Sequence, residues 1–152
     1  MPTYLKIYSG TVTSGQRDGY EVSLNRSMEC AITAVLDSSK AEAQYIKCAI
    51  RCMDGFKTSG TTTLSFTYYD DTTGTYKVTG GAINRFQIAR DNGYTEDNVD
   101  SRATWASSLS ITDVISNTNI LFWVKISTVQ GENPVNDTTI SLTVNGTIVS
   151  TN

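Results

Sequence analysis

The sequence predicts an all-β chain: a single domain over residues 1–152, folded as an immunoglobulin-like or jelly-roll-like β-sandwich of about eight to ten strands with one short helical connector. Three observations predict it. The 152 residues include 23 Thr and 16 Ser beside many Val, Ile and Tyr, and β-branched and aromatic side chains fit a pleated, half-buried surface. Gly, Asn and Asp punctuate the chain about every eight to fifteen residues, the spacing of turns in a sandwich or barrel. Between these marks apolar and polar side chains alternate, the period of a strand with one buried face. A chain of this length buries roughly two thirds of the surface its unfolded state exposes, so one core is sufficient.

The elements follow in order. Residues 4–8 form a short first strand, turns come at Ser14-Gly15 and Asp18-Gly19, and residues 20–24 form a second strand. Residues 30–36 set Cys30, Ile32, Ala34 and Leu36 on one face of a strand against Ala31, Thr33 and Val35 on the other. Residues 37–44 are the helix-like passage, with Asp37 or Ser38 placed to cap the free amides of one or two turns. Residues 45–53 return to strand, with Ile46, Cys48, Ile50 and Cys52 facing the core, and Asp54-Gly55 closes that strand.

Residues 64–68 put their large side chains on one face, residues 70–74 turn into a strand over 75–78, and Gly80-Gly81 breaks the chain before a strand over 83–89. Residues 91–101 carry four acids and read as a solvated loop. Residues 105–111 return to strand, and the clearest strand of all covers 119–127. There Ile120, Phe122, Val124 and Ile126 share one face, while Leu121 and Trp123 make the other face apolar too. That pattern belongs to a central strand or to one that meets another subunit, so Leu121 and Trp123 are the candidate interface residues. Residues 130–137 are a loop, because Gly131 and Pro134 oppose a ladder. Residues 138–144 alternate Ile140, Leu142 and Val144 against Thr139, Ser141 and Thr143, with Asn145-Gly146 as a turn or bulge before Ile148-Val149.

Charge and cysteine content narrow the chemistry. The formal net charge is −3 with a pI of about 4.8, and the few Lys and Arg are scattered, so the footprint that phosphate binding requires is missing and nucleic acid is not expected as a partner. No stretch approaches the length of apolar sequence needed for membrane insertion. The opening Met1-Pro2-Thr3-Tyr4-Leu5-Lys6 lacks the basic and apolar regions of a secretory signal. The expectation is a chain made and folded in a cytoplasm, or one from which a signal has already been removed.

Three cysteines, Cys30, Cys48 and Cys52, are an odd number in a chain that does not need staples, so free thiols are expected. A metal pair at Cys48 and Cys52 wants closer spacing and further ligands, and the sequence contains no His. Both are expected as small core residues.

The lack of His also removes every imidazole-based dyad and triad and the His-containing metal sites, and no cofactor is expected. Gly80-Gly81 is not followed by the Lys and Ser or Thr of a nucleotide loop. Paired carboxylates among Asp70, Asp71, Asp91, Glu96, Asp97 and Asp100 could serve glycoside hydrolysis, but Asp in a turn is first a residue that bonds its own backbone. The acidic run from Asp91 to Asp100 lacks the ligand order of a calcium loop. Exposed aromatic rings can stack on the apolar face of a sugar, and Tyr94 and Trp105 are the candidate glycan platform, with a core or strand-packing role as the plain alternative for each ring.

Two parts of the chain carry a resemblance. The opening Tyr4-Leu5-Lys6-Ile7-Tyr8-Ser9-Gly10 is one. The other is roughly the last third, from Trp105, in which Leu109-Ser110-Ile111-Thr112-Asp113 precedes Asn117-Thr118-Asn119-Ile120-Leu121-Phe122-Trp123-Val124-Lys125, then Glu132-Asn133-Pro134-Val135-Asn136-Asp137-Thr138 leads into residues 140–149. In these the chain resembles the immunoglobulin-like accessory proteins of tailed-bacteriophage virions, which decorate tail, baseplate or capsid. The helix-like passage at 37–44 departs from a simple seven-strand pattern. The resemblance implies a non-enzymatic structural or adhesive role, assembly in the host cytoplasm into the virion, and contact with other virion proteins and with copies of itself. It assigns no binding residue. A carbohydrate-binding module that meets host-surface glycan is the second expectation, and a carboxylate-dependent hydrolase the third.

Overall fold

The computed structural model describes residues 4–22, 32, 34–37, 39–131 and 139–151. Among them nine strands follow one another: β1 (Leu5–Ser9), β2 (Tyr20–Glu21), β3 (Ala43–Cys52), β4 (Phe56–Asp70), β5 (Thr75–Lys77), β6 (Phe86–Arg90), β7 (Ser108–Ile111), β8 (Ile120–Ser127) and β9 (Ile140–Ser150). Helical turns among the described residues are a 3-10 turn at Ile83–Arg85 and the one-turn helix α1 (Val99–Arg102). The strands form two antiparallel sheets, as an all-β sandwich requires.

The first sheet has the order β2-β1-β3-β8-β6. In the second, β4 is central: β9 runs along one side of it, while β7 pairs with residues 62–65 and β5 with residues 68–70 on the other. Alternation decides which side chains meet. Leu5 and Ile7 of β1, Cys48, Ile50 and Cys52 of β3, Ile88 of β6, and Phe122 and Val124 of β8 point inwards from the first sheet. They meet Leu64 and Phe66 of β4, Ile111 of β7 and Val144 of β9 from the second, in one continuous core. The two cysteines are thus core residues with free thiols, and burial pushes the Cys48 thiol up to about 12. Cys30 lies outside the described residues.

The connection from β7 to β8 passes from the second sheet to the first and is pinned on the way. The Ile115 N–H donates to the buried Thr58 hydroxyl at 2.7 Å, and the Ile115 and Ser116 carbonyls accept from Thr58 N and Cys52 N at 2.9 and 2.7 Å. Ile115 itself is fully buried in the core.

Several elements differ from the expectation. Of the proposed strand over 30–36, residues 30, 31 and 33 lie outside the described residues, and Ile32, Ala34, Val35 and Leu36 belong to no strand. Val35 is 93% exposed. In the helix-like passage over 37–44, of which Ser38 lies outside the described residues, the Asp37 carboxylate accepts from the Ser39 amide and hydroxyl, and Ala43 and Gln44 already belong to β3. An Asx turn competes with a helical first turn for the same amides, and here it wins. Strand β4 runs far beyond the expected residues 64–68 because both of its edges find partners. Residues 83–85 form a 3-10 turn ahead of β6 instead of its first part. Finally, of the turn or bulge expected at Asn145-Gly146 the turn is not formed, since β9 continues through it, and the bulge is: Gly146 faces the extra residues of β4 between Ser59 and Thr63.

Candidate functional site

The outer face of the first sheet carries Tyr8 of β1, Tyr45, Lys47, Ala49 and Arg51 of β3, Ala89 of β6, and Leu121, Trp123 and Lys125 of β8, which the strand registers bring into adjacent rows. Two loops close over it. Residues 10–19 place Val12 on Ala49 and Leu121, with Tyr8 beside them. The loop is held by a polar knot: Asp18 accepts from the Thr13 amide at 2.8 Å and hydroxyl at 2.7 Å, and from Asn119 Nδ2 at 2.8 Å. Arg51 donates 2.7 Å bonds to the Asp18 carbonyl and to Asn119 Oδ1, and its guanidinium lies 3.4 Å from the centroid of the Tyr8 ring. The bonds from Thr13 hold the Asp18 carboxyl below the ordinary aspartate range.

The second cover is the connection over residues 91–106. Asp91 Oδ1 accepts the indole N–H of Trp123 at 2.8 Å. The bond fixes this loop on the sheet, and α1 then buries Val99 completely. Asp100 accepts from Lys125 at 2.8 Å and from the Tyr45 hydroxyl, and the Lys125 ammonium holds its carboxyl low. Burial, then the bond to Asp100, pushes the Tyr45 phenol up to about 12.

These covers decide the expected interface. Leu121 is 6% exposed and Trp123 2% exposed. Both lie on the face turned away from the second sheet, as their alternation with Phe122 and Val124 requires, but the chain's own loops bury them, so they offer no apolar patch to a partner. An amphipathic pattern on both faces of β8 cannot distinguish a subunit from a loop that returns from elsewhere in the same chain.

The expected glycan platform divides into two places. Trp105 is half-buried, its ring 5.8 Å from that of Tyr45 and its indole N–H bonded to the Asp100 carbonyl. Lys125 lies 5.7 Å from the centroids of both rings. Trp105 therefore helps pack the loop to the sheet. Thr104 and Ala106, its neighbours in the chain, line a separate groove of about 340 Å³ at the seam where β6 of the first sheet approaches β7 of the second. Ile88 and Arg90 come from β6, Ser108, Leu109 and Ser110 from β7, and Tyr94 with Asn92 from the connection. The seam is held by the pair of 2.8 and 3.0 Å backbone bonds between Ile88 and Ala106. Arg90 also reaches Asp113 at 3.2 Å and keeps its carboxyl low.

Tyr94 thus lies in a concave site with a guanidinium, an amide and several hydroxyls, and Trp105 does not share it. Sequence reasoning missed Arg90 and Asn92, since neither lies in a motif; the only signal was their position on either side of the loop's first acid. It also missed Asn119, a buried polar residue at the entrance of an apolar strand, which in retrospect marks a side chain with internal bonds to make.

Compared with known proteins, the chain matches no protein-family model, no curated protein and no solved structure.

Proposed function

We propose that the chain is a non-enzymatic structural protein of a bacteriophage virion, displayed on tail, baseplate or capsid and acting through contacts with other virion proteins and with the host surface. The observation that supports a contact role is the difference between the two outer faces. That of the first sheet is sealed by the chain's own loops. That of the second is an open carpet of small hydroxyl-bearing and amide side chains: Thr63, Ser65 and Thr67 of β4, Ser108 and Ser110 of β7, Ser141, Thr143 and Asn145 of β9. Thr67 and Thr143 bond to each other across the strands at 3.0 Å. Such a face has many hydrogen-bonding groups and little side-chain entropy to lose, and the charge of Lys57 lies at the far end of β4, which suits a broad contact.

The carboxylates argue in the same direction. Asp54, Asp70, Asp100 and Asp113 are held low by Arg17, Lys77, Lys125 and Arg90 respectively, so they are committed as anions to structural bonds instead of being poised to carry a proton. An epitope-tagged chain expressed during phage assembly tests the proposal: electron microscopy should place the label at regular positions on tail, baseplate or capsid. Purified particles that lack the chain by mass spectrometry overturn it.

A second reading, a carbohydrate-binding module, rests on the groove at the seam. An aromatic ring, a guanidinium, an amide and hydroxyls around about 340 Å³ match the needs of a sugar ring, which stacks by one face and bonds at its rim. A glycan array tests it. Binding that is lost in Tyr94→Ala and kept in Trp105→Ala supports the groove, and an array blank for the wild-type chain disposes of this reading.

A further inference from the structure

We propose that Asn92 is a self-modification site: the fold exposes it, so that its carboxamide is lost through a cyclic imide with the Gly93 nitrogen, while the same dipeptide at Asn145-Gly146 is protected by its strand. The inference stands apart from the virion and sugar readings, since it needs only the turn that carries Asn92 and water.

The chemistry is uncatalysed and balanced. The Gly93 backbone nitrogen gives up its proton to hydroxide and attacks Cγ of Asn92, the new C–N bond closes a five-membered succinimide, and the carboxamide nitrogen leaves as ammonia. Water then opens the ring at either carbonyl. One opening restores the main chain with an aspartate, and the other leaves the chain running through the side chain as isoaspartate. One water is consumed and one ammonia released, with no oxidant or reductant. Ring closure needs Cβ and the following nitrogen nearly eclipsed about the Asn Cα–C bond, a setting that neither a strand nor a helix provides. It also needs an approachable nitrogen, which a following Gly gives because it has no Cβ.

The structure sets Asn92 apart from the other described asparagines. Asn92 and Gly93 are exposed, lie in a bend between β6 and α1, and have Gly93 at a φ of 76°. The turn is anchored on either side, by the Asp91 amide on the Leu121 carbonyl and by the Tyr94 amide on Asp91 Oδ1, each at 3.2 Å. The reacting pair thus sits between fixed points on a surface open to water. Asn145-Gly146 has the opposite setting: both residues are in β9, Asn145 is in register with Thr63, and Gly146 is backed by the Thr62 side chain. Asn84 lies within the 3-10 turn. Asn98, Asn117 and Asn119 have carboxamides bonded to Thr95, Asp54 and Asp18, and are followed by Val99, Thr118 and Ile120, whose branched Cβ shields the nitrogen.

The product changes the groove. Asn92 and Arg90 both line it, so a neutral amide gives way to an anion in the same lining as the guanidinium. In the isoaspartate form the main chain is also one methylene longer inside the turn that the Tyr94 amide closes onto Asp91.

The test uses the full wild-type chain, kept folded by near-ultraviolet circular dichroism and incubated at mildly alkaline pH. Peptides are mapped by mass spectrometry with fragmentation that tells isoaspartate from aspartate. The Asn92 peptide should gain about 1 Da, mostly as isoaspartate, and the chain should gain one negative charge by isoelectric focusing. Asn145 should change at least about tenfold more slowly, because it must wait for β9 to open. In urea the two sites should react at similar rates, and Asn92→Gln should abolish the acidic form of the folded chain. An Asn92 that converts no faster than Asn145 in the folded chain overturns the proposal. So does an acidic form that survives Asn92→Gln, or a gap between the two sites that persists in urea and so belongs to the flanking residues instead of the fold.

Discussion

The indole N–H of Trp123 donates to Oδ1 of Asp91 at 2.8 Å, tying an interior strand of the first sheet to the loop that covers it. The same oxygen accepts the Tyr94 amide at 3.2 Å. One carboxylate therefore both anchors residues 91–106 and sets the backbone of Tyr94, a residue of the groove.

Asp91→Ala is expected to cost about 1–3 kcal/mol, the penalty of stranding a buried donor, while Asp91→Asn keeps an acceptor oxygen and costs less. Trp123→Ala is expected to cost about 3–5 kcal/mol, as removal of a buried indole does. Urea denaturation measures both. If Trp123→Ala leaves the denaturation midpoint in place and lowers only self-association, the residue is an interface residue after all.

The acid limb of stability follows from the carboxylates. Asp18, Asp54, Asp70, Asp100 and Asp113 are each lowered from an ordinary value of 3.8, chiefly by Thr13, Arg17, Lys77, Lys125 and Arg90. A carboxyl depressed in the folded state contributes stability that is present above its unfolded pKa and lost as pH falls through the folded one. The melting temperature should therefore hold steady from neutral pH to about pH 5 and decline below about pH 4. A melting temperature that rises on acidification would contradict the assignment of these bonds. On the alkaline side Tyr45 has the opposite sign: raised to about 12, it contributes stability below its unfolded value that disappears as pH climbs through the folded one.

The thiols of Cys48 and Cys52 are both buried on β3, and desolvation raises both. In a Cys30→Ser background, alkylation of the folded chain at pH 8 should be at least about a hundredfold slower than in denaturant. Rapid modification without denaturant, read by mass spectrometry, would place β3 at the surface and dismantle the first sheet as described.

Gly146 stands where three residues of β4, 60–62, oppose one of β9. A Cβ built there meets the Thr62 hydroxyl at 2.9 Å and its methyl at 3.3 Å. Gly146→Ala should therefore destabilise by about 1–3 kcal/mol, the usual cost of overpacking. Thr62 is fully buried and its hydroxyl finds no partner among the described residues, so Thr62→Val should stabilise by about 1 kcal/mol. In a double-mutant cycle Thr62→Ala should recover much of the loss in Gly146→Ala. Strict additivity of the two would show that the side chains do not touch.

Much of the sandwich was legible because alternation is a local property that survives into the sheet unchanged. Cys48, Ile50 and Cys52 of β3, and Phe122 and Val124 of β8, point inwards as their parity demands, since every second side chain of a strand leaves the same face. What lay between the strands was less legible. Asp37 and Ser39 could serve a helix cap or an Asx turn with the same atoms, and local sequence does not rank the two. The length of β4 depended on partners drawn from residues 75, 108 and 140 onwards, far along the chain.

The sequence by itself determined the all-β class, the free core thiols and the inward set of side chains, because a period of two and a β-branched composition act residue by residue. Only the tertiary structure decided what covers the far side of the first sheet, that Tyr94 and Trp105 serve different places, and that Arg90 and Asn92 join Tyr94 in one groove. Those outcomes come from loops returning over a sheet and from the order of strands within it. Contacts between residues distant along a chain depend on how the whole backbone closes, and no local pattern encodes that closure.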